Sequence, residues 1–111
     1  MRLGEVVTIT GAYIHAGKPF VVVHEPVRGR VQLCRVGSRR WFMPEWHAVG
    51  EVRPAGAGDG KEFRRAQRQV AAVKPDPDGW KRVQIGRYGG TGCVVIVGHI
   101  DVEPASEVER R

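Results

Sequence analysis

The chain has 111 residues, which is enough for one domain with a modest hydrophobic core. Its hydrophobic content of 41% and charged content of 27% are ordinary for a globular protein and argue against extensive disorder. The formal net charge of +6 favours anionic partners, and no stretch approaches the about 20 apolar residues that a membrane-spanning helix needs. Fifteen glycines and seven prolines favour turns and short strands over long helices.

The basic residues are mostly arginine and are unevenly distributed. Arginine accounts for 14 of the 18 basic residues, and the segment from Arg28 to Arg40 has five arginines and no acid. Arginine contacts phosphate in a bidentate manner, although an arginine-rich chain also follows from a GC-rich genome. The distribution of charge is therefore more informative than its total.

The two cysteines, Cys34 and Cys93, are far apart in the sequence and have apolar neighbours. The opening MRLGEVV lacks the apolar run of an export signal. We therefore expect buried, reduced thiols in a cytoplasmic protein, or in a virion if a phage encodes the chain.

The first half of the chain predicts five short strands. Three segments are rich in β-branched residues: GEVVTIT (4–10), PFVVVHEPV (19–27) and VQLCRV (31–36). The run Val21–Val23 predicts that the second strand is buried on both faces. The segment 39–43, RRWFM, is the predicted fourth strand and ends at Pro44, because proline cannot donate to the ladder. Residues 44–47 then fit one helical turn and residues 48–53 a fifth strand.

This order of elements resembles the SH3-like small barrel, the class that includes SH3, Tudor and KOW domains. The resemblance rests on the opening GEVVTI, the strands over 17–23 and 29–36, and the closing WFMPEWHAVGEV, and it covers residues 1–53. It implies that ligands meet the loops and exposed aromatic residues on one rim of the barrel.

The second half predicts one helix and one hairpin. Phe63, Ala66, Val70 and Val73 have helical spacing over residues 61–73, and Asp59 is the expected N-cap. WKRVQIGRY (80–88) and CVVIVGHIDV (93–102) form the expected hairpin, joined by GGTG, and the apolar second strand is expected to be central and buried.

The predicted fold class is therefore mainly β (α+β). It comprises an SH3-like barrel over residues 1–53, a linker over 54–60, a helix and hairpin over 61–102 that pack on or extend the barrel, and a frayed tail over 103–111.

The stretch RRWFMPEWH, residues 39–47, supports two interpretations. Alternation along a strand places Trp41 and Met43 on one side and Phe42 on the other, so core burial of Phe42 with Met43 or Trp41 is the default. Trp46, beside Pro44, is the better candidate for an exposed platform on which a base could stack.

Ten residues are candidate contacts for nucleic acid or an acidic protein surface. They comprise the acid-free arginine segment, Trp46 and the basic face of the predicted helix: Arg28, Arg30, Arg35, Arg39, Arg40, Trp46, Lys61, Arg64, Arg65 and Arg68. The alternative for the helix is a solvated amphipathic face.

The sequence indicates no reaction centre, metal site or cofactor. The histidines and cysteines lack metal-ligand spacing, and the turn GRYGGTG lacks the Lys-Ser/Thr of a phosphate-binding loop. Neither cysteine has a catalytic signature around it. We therefore expect a non-enzymatic binding module whose arginines contact nucleic acid or an acidic protein.

Two alternatives remain open. The chain could be a structural or accessory subunit of a larger assembly, such as a phage particle or a homo-oligomer. The start of the chain is also similar to MazF/PemK-type toxins, which have an SH3-like barrel and cleave RNA without metal. Lys18-Pro19 stands where that family has Arg-Pro, which makes Lys18 the one matching catalytic-type position.

Overall fold

The computed structural model describes residues 1–56, 58–87 and 90–101. In this part of the chain the elements, in order, are β1 (Val6–Ile9), β2 (Phe20–Val27), β3 (Arg30–Arg35), β4 (Glu45–Ala48), a 3₁₀ turn (Val49–Glu51), β5 (Val52–Pro54), α1 (Lys61–Ala71), β6 (Trp80–Arg87) and β7 (Gly90–His99). The described part of the protein is therefore mainly β with one helix, as predicted.

The first five strands form an antiparallel sheet in the order β4-β3-β2-β1-β5. This sheet, together with the helix and the hairpin, confirms the predicted mainly β (α+β) fold class, and the 3₁₀ turn between β4 and β5 fits the expected small barrel. The long strand β2 has two register shifts against β3, on either side of His24. Such bulges bend a strand and increase its twist, and this lets one strand follow a curved sheet.

The part of the sheet formed by β1, the first half of β2 and most of β3 is buried on both faces. Its inner face fills the barrel with six buried side chains: Val7, Ile9, Phe20, Val22, Val31 and Leu33. The outer face packs five buried side chains against α1 and the β6–β7 hairpin: Val6, Val21, Val23, Cys34 and Val36. Side chains alternate between the faces of a strand, so the run Val21–Val23 supplies both cores, as predicted. The barrel, the helix and the hairpin therefore share one continuous outer core.

Helix α1 packs on the outer face through Phe63 and Ala66, which are buried as their spacing predicted. The predicted N-cap is wrong, because the N-cap residue is Gly60 and it makes no side-chain capping bond. The Asp59 carboxylate instead binds the Arg53 guanidinium at 3.1 and 3.2 Å and accepts from the Gly56 amide. The helix ends at Ala71, two residues before the predicted end.

The predicted fourth strand over 39–43 is wrong. A tight turn closes at Gly37, whose amide donates to the Arg40 carbonyl at 2.9 Å, and only a single bridge, Val36–Trp41, joins this segment to the end of β3. Strand β4 begins after Pro44, so the proline precedes the strand and removes no ladder hydrogen bond. The helical turn consequently lies at residues 49–51 and the fifth strand at 52–54, both later than predicted.

The β6–β7 hairpin forms as predicted, but β7 starts at Gly90 and is not buried on both faces. Val95 and Val97 are buried, whereas Val94 is 53% exposed. The reason is that β6 and β7 form a two-stranded sheet of their own, which packs only one face on the core. Part of the predicted GGTG connection and the predicted tail over 103–111 lie outside the described residues.

Gly4 provides a test of how firmly the hairpin packs on the barrel. Gly4 has a φ of 82°, and a Cβ there would overlap the Val97 carbonyl oxygen and lie 3.3 Å from a methyl group of Val70. We expect Gly4→Ala to lower the free energy of unfolding by about 1–2 kcal/mol for the left-handed backbone and by about 1–3 kcal/mol more for the overlap. Urea denaturation measures the change.

Gly11→Ala is the matched control. Gly11 has a φ of 92°, but a Cβ there would meet no described atom within 4 Å. Gly11→Ala should therefore lower the free energy of unfolding only by the contribution of the left-handed backbone, about 1–2 kcal/mol. Equal losses in the two variants would show that the overlap of the added Cβ with β7 has no energetic cost, which would contradict the prediction.

Candidate functional site

A pocket of about 450 Å³ lies between the β1–β2 loop, residues 10–19, and the β3–β4 loop, residues 36–44. Both loops contribute side chains to it, together with the adjoining ends of β2, β3 and β4. This volume lies within the ~300–1,000 Å³ range of small-molecule sites. We call this feature the loop pocket.

One wall of the loop pocket is a cluster of aromatic rings. His47, on β4, makes edge-to-face contacts with Tyr13 at 5.3 Å and with Phe20 at 5.9 Å between ring centroids. Tyr13 contacts the His15 ring in the same manner at 5.7 Å. Such pairs stabilise by about 0.5–1.5 kcal/mol beyond burial, so the cluster holds the loop residue Tyr13 against the two strands.

His47 is buried without a hydrogen-bond partner for Nε2. Its side chain is 9% exposed, and Nε2 has no partner in the part of the chain that the structure describes. The nearest carboxylate is that of Glu45, whose Oε2 lies 3.8 Å from Nε2 and accepts a bond of 3.1 Å from the Tyr13 hydroxyl.

The pocket shifts the pKa of both ring groups. Burial lowers the pKa of His47, against an opposing effect of the Glu45 and Glu51 carboxylates. Burial, reinforced by the hydrogen bond to Glu45, raises the pKa of Tyr13. Both shifts favour the neutral form, so at neutral pH the pocket presents an uncharged imidazole and an uncharged phenol.

A second wall combines two arginines with Phe42. The Cζ atoms of Arg35 and Arg40 lie 3.6 and 4.4 Å from the centroid of the Phe42 ring. Gly37 permits this arrangement, because a Cβ there would lie only 3.2 Å from Phe42 Cε2. The guanidinium charges are therefore held beside the pocket by cation–π contacts.

The predicted burial of the aromatic stretch is only partly right. Trp41 packs against the outer core, whereas Phe42 is half-buried and Met43 is 39% exposed, and the last two line the loop pocket. Strand alternation fails here because residues 37–44 form a loop, which bends these side chains toward the barrel end.

Helix α1 contacts both loops of the pocket. The Gln69 amide donates to the carbonyls of Gly37 and Ser38 at 3.3 and 3.2 Å, and Glu62 lies 3.8 Å from Lys18. Arg65 is half-buried and lies between these two contacts on the same side of the helix. The other predicted basic residues of the helix are exposed: Lys61, Arg64 and Arg68.

The structure thus divides the ten predicted residues into two groups. The pocket group comprises Arg35 and Arg40, which line the loop pocket, Arg39 next to Arg40 in the β3–β4 loop, and the basic residues of α1: Lys61, Arg64, Arg65 and Arg68. The distal group lies toward the β2–β3 turn: Arg28, Arg30 and Trp46. Arg30 and Arg35 occupy opposite ends of β3, roughly 17 Å apart along the strand.

Trp46 belongs to a smaller aromatic surface. It is 43% exposed, as predicted, and pairs across strands with Gln32. Its ring lies 5.2 Å from that of His24, which also pairs with Gln32. Three neighbouring strands therefore place these residues in one row on the exposed part of the sheet.

The arginines predicted as contacts differ from Arg53 and Arg82, whose charge is neutralised by nearby carboxylates. Arg53 pairs with Asp59 at 3.1 Å, and Arg82 pairs with Asp76 and Asp78 at 2.6 and 3.0 Å. These partners raise the pKa of both guanidinium groups. Across residues 1–56, 58–87 and 90–101, no member of the pocket or distal group forms an ion pair.

Sequence reasoning missed four residues of the loop pocket: Tyr13, His15, Glu45 and His47. Tyr13 and Glu45 are 32 positions apart and are brought together only by tertiary structure. Lys18, the position matching the toxins, does not line the loop pocket and lies beside Glu62 instead. Cys34 is a free, buried thiol, and burial raises its pKa to about 12, which leaves it protonated and unreactive.

Among the described residues, no helix has the length and apolar content to cross a membrane, and no three His, Cys, Asp or Glu side chains are grouped to bind a metal ion. Comparisons with protein-family models, with curated proteins and with solved structures give no match for this chain.

The buried imidazole makes stability depend on pH. Because the pKa of His47 is lower in the folded than in the unfolded protein, the unfolded state binds the proton more readily. The free energy of unfolding should be highest above the ordinary value of 6.5 and fall as the pH drops below it, by at most about 1.4 kcal/mol per pH unit. Denaturation curves recorded from about pH 5 to about pH 8 would show this decline in the free energy of unfolding.

His47→Phe should remove this part of the pH dependence while keeping a ring in contact with Tyr13 and Phe20. His99→Phe is the control, because His99 is exposed on the hairpin. If the free energy of unfolding varied with pH in the same way in the wild type and in His47→Phe, this pH dependence would not come from His47.

Proposed function

We propose that the protein is a non-enzymatic module that binds single-stranded nucleic acid at the loop pocket and along the basic residues beside it. The observation that carries the proposal is the combination, in one place, of aromatic walls with arginines that have no described carboxylate partner.

The charge distribution supports contact with a phosphate backbone. Arg39 and Arg40 are exposed at the β3–β4 loop, and Gln69 ties this loop to the helix that carries Lys61, Arg64 and Arg68. A chain of phosphates could therefore contact the loop and the helix together. Neutralising phosphates releases counterions and makes the affinity fall steeply with salt.

The aromatic walls favour a single strand over a duplex. Bases in a duplex are stacked on each other, whereas those of a single strand can stack on aromatic rings and on guanidinium planes. Tyr13, Phe42 and the guanidinium of Arg35 offer such surfaces at the loop pocket. An acidic peptide would use the arginines but would leave the rings without an equivalent partner.

The arginines of the β3–β4 loop provide the direct test. We expect Arg39→Gln/Arg40→Gln to weaken binding of a single-stranded oligonucleotide. The slope of log affinity against log salt should also become shallower, by about 0.7 for each phosphate that the double variant no longer neutralises. Fluorescence anisotropy at several salt concentrations gives both quantities.

Arg53→Gln/Arg82→Gln is the matched control, because it removes the same charge at arginines that internal carboxylates already neutralise. It should leave the salt slope unchanged. Equal effects of the two double variants would mean that only net charge matters. Tighter binding of a duplex or of polyglutamate than of the single strand, or no binding at low salt, would reject the proposal.

A further inference from the structure

The β2–β3 turn has an arginine where the backbone favours a smaller residue. Arg28 and Gly29 form this two-residue turn, and their φ angles are 51° and 77°. A turn with a positive φ at both positions usually contains Asn-Gly or Asp-Gly. Arg28 is the one residue other than glycine with a positive φ in the part of the chain that the structure describes. Strained backbone of this kind clusters where a protein binds its ligands.

An aromatic platform, formed by Trp46 and His24, lies beside this turn on the outer face of the sheet. Both residues pair with Gln32, and their rings lie 5.2 Å apart between centroids. On the same face of β3, Cys34 is buried, Gln32 is half-buried and Arg30 is exposed. The covering of the outer face therefore ends near Gln32. Trp46 is 43% exposed, so its ring is open to a ligand.

Two arginines border the platform. Arg30 shares a face with Gln32 and is diagonal to Trp46, at about 7–8 Å between Cα atoms. Arg28 lies two residues earlier, in the turn. Both arginines are exposed, and neither forms an ion pair with Glu25, the acid nearest in the sequence, or with another carboxylate among the described residues. This end of the sheet therefore has the charge that complements an anion.

We propose that the distal group is a second contact for the single strand, in which one base stacks on the Trp46 indole and the adjoining phosphates contact Arg28 and Arg30. The inference rests on the proposed function and extends the bound strand beyond the loop pocket. Aromatic rings and guanidinium groups are the two features that hold single strands on other small β barrels. An acidic peptide would contact the arginines but would leave the indole without an equivalent partner.

One strand is long enough to contact both sites. Arg30 and Arg35 occupy opposite ends of β3, roughly 17 Å apart along the strand. Stacked nucleotides rise by about 3.4 Å each, so about five of them cover this distance. OB-fold domains, which are also small β barrels, bind about 4–16 nucleotides. An oligonucleotide at the upper end of this range can therefore contact the loop pocket and the distal group together.

Arg28→Asn separates binding from folding. Asparagine adopts the left-handed conformation more readily than arginine, so the midpoint of urea denaturation should move to a higher urea concentration. The substitution also removes one phosphate contact. An oligonucleotide of about 16 nucleotides should therefore bind more weakly, and the slope of log affinity against log salt should become shallower by about 0.7. Fluorescence anisotropy at several salt concentrations measures both quantities.

Arg2→Asn is the matched control. Arg2 is exposed, forms no ion pair among the described residues and lacks a positive φ. The control removes the same charge and should leave the salt slope and the denaturation midpoint unchanged. Equal changes of slope in the two variants, or an unchanged affinity in Arg28→Asn, overturn the inference.

Trp46→Ala tests the contact with a base. It should lower the affinity for a thymidine strand by about five-fold or more, because the stacked base loses its platform. It should leave the affinity for an abasic strand of the same length unchanged, since that strand has only phosphates to offer. Trp46→Phe keeps an aromatic face and should retain most of the affinity. An equal loss for both strands, or no loss in Trp46→Ala, overturns the inference.

The loop arginines distinguish this failure from that of the proposed function. If Arg39→Gln/Arg40→Gln weakens binding of the strand while Arg28→Asn and Trp46→Ala do not, only the second contact is rejected. If the strand does not bind the wild-type protein at low salt, both proposals are rejected.

Discussion

Burial of both faces of β1, the first half of β2 and most of β3 is the constraint from which the rest of the molecule follows. The inner face fills the barrel, and the outer face carries α1 and the β6–β7 hairpin over the same strands. Because Val21 and Val22 face opposite cores, neither face of this part of β2 can contact a ligand. The loops at the end of the barrel and the row around Trp46 lie beside this core and stay exposed. The location of the loop pocket is therefore a consequence of how the core is filled.

Helix α1 links the stability of the fold to the position of the two loops that form the loop pocket. Phe63 and Ala66 anchor the helix on the outer core, while Glu62 and Gln69 contact the two loops that form the loop pocket. The loops are thus positioned by an element that itself depends on the sheet for burial. The exposed ion pair of Glu62 with Lys18 contributes little by itself, so the amide of Gln69 and the packing of the helix carry most of this coupling.

Local signals in the sequence predicted the fold better than the site. The valine run of β2 and the apolar spacing around Phe63 identify these elements because burial imposes a period on the residues themselves. The prediction of a strand over residues 39–43 was wrong. The pattern of Trp41, Phe42 and Met43 is compatible with a strand, but the chain forms a loop there. The arginines of the loop were visible as a charge pattern. The cluster of Tyr13 and His47 was not, because its members meet only after β2, β3 and β4 pair.

Two physical effects at the loop pocket have different roles. Arg53 and Arg82 have acids within six positions in the chain, whereas the segment from Arg28 to Arg40 contains no acid, and its arginines form no ion pair among the described residues. The buried Nε2 atom of His47 has no hydrogen-bond partner among the described residues, and this destabilises the folded protein by about 1–3 kcal/mol. The edge-to-face contacts of the ring, each worth about 0.5–1.5 kcal/mol, offset this in the free protein.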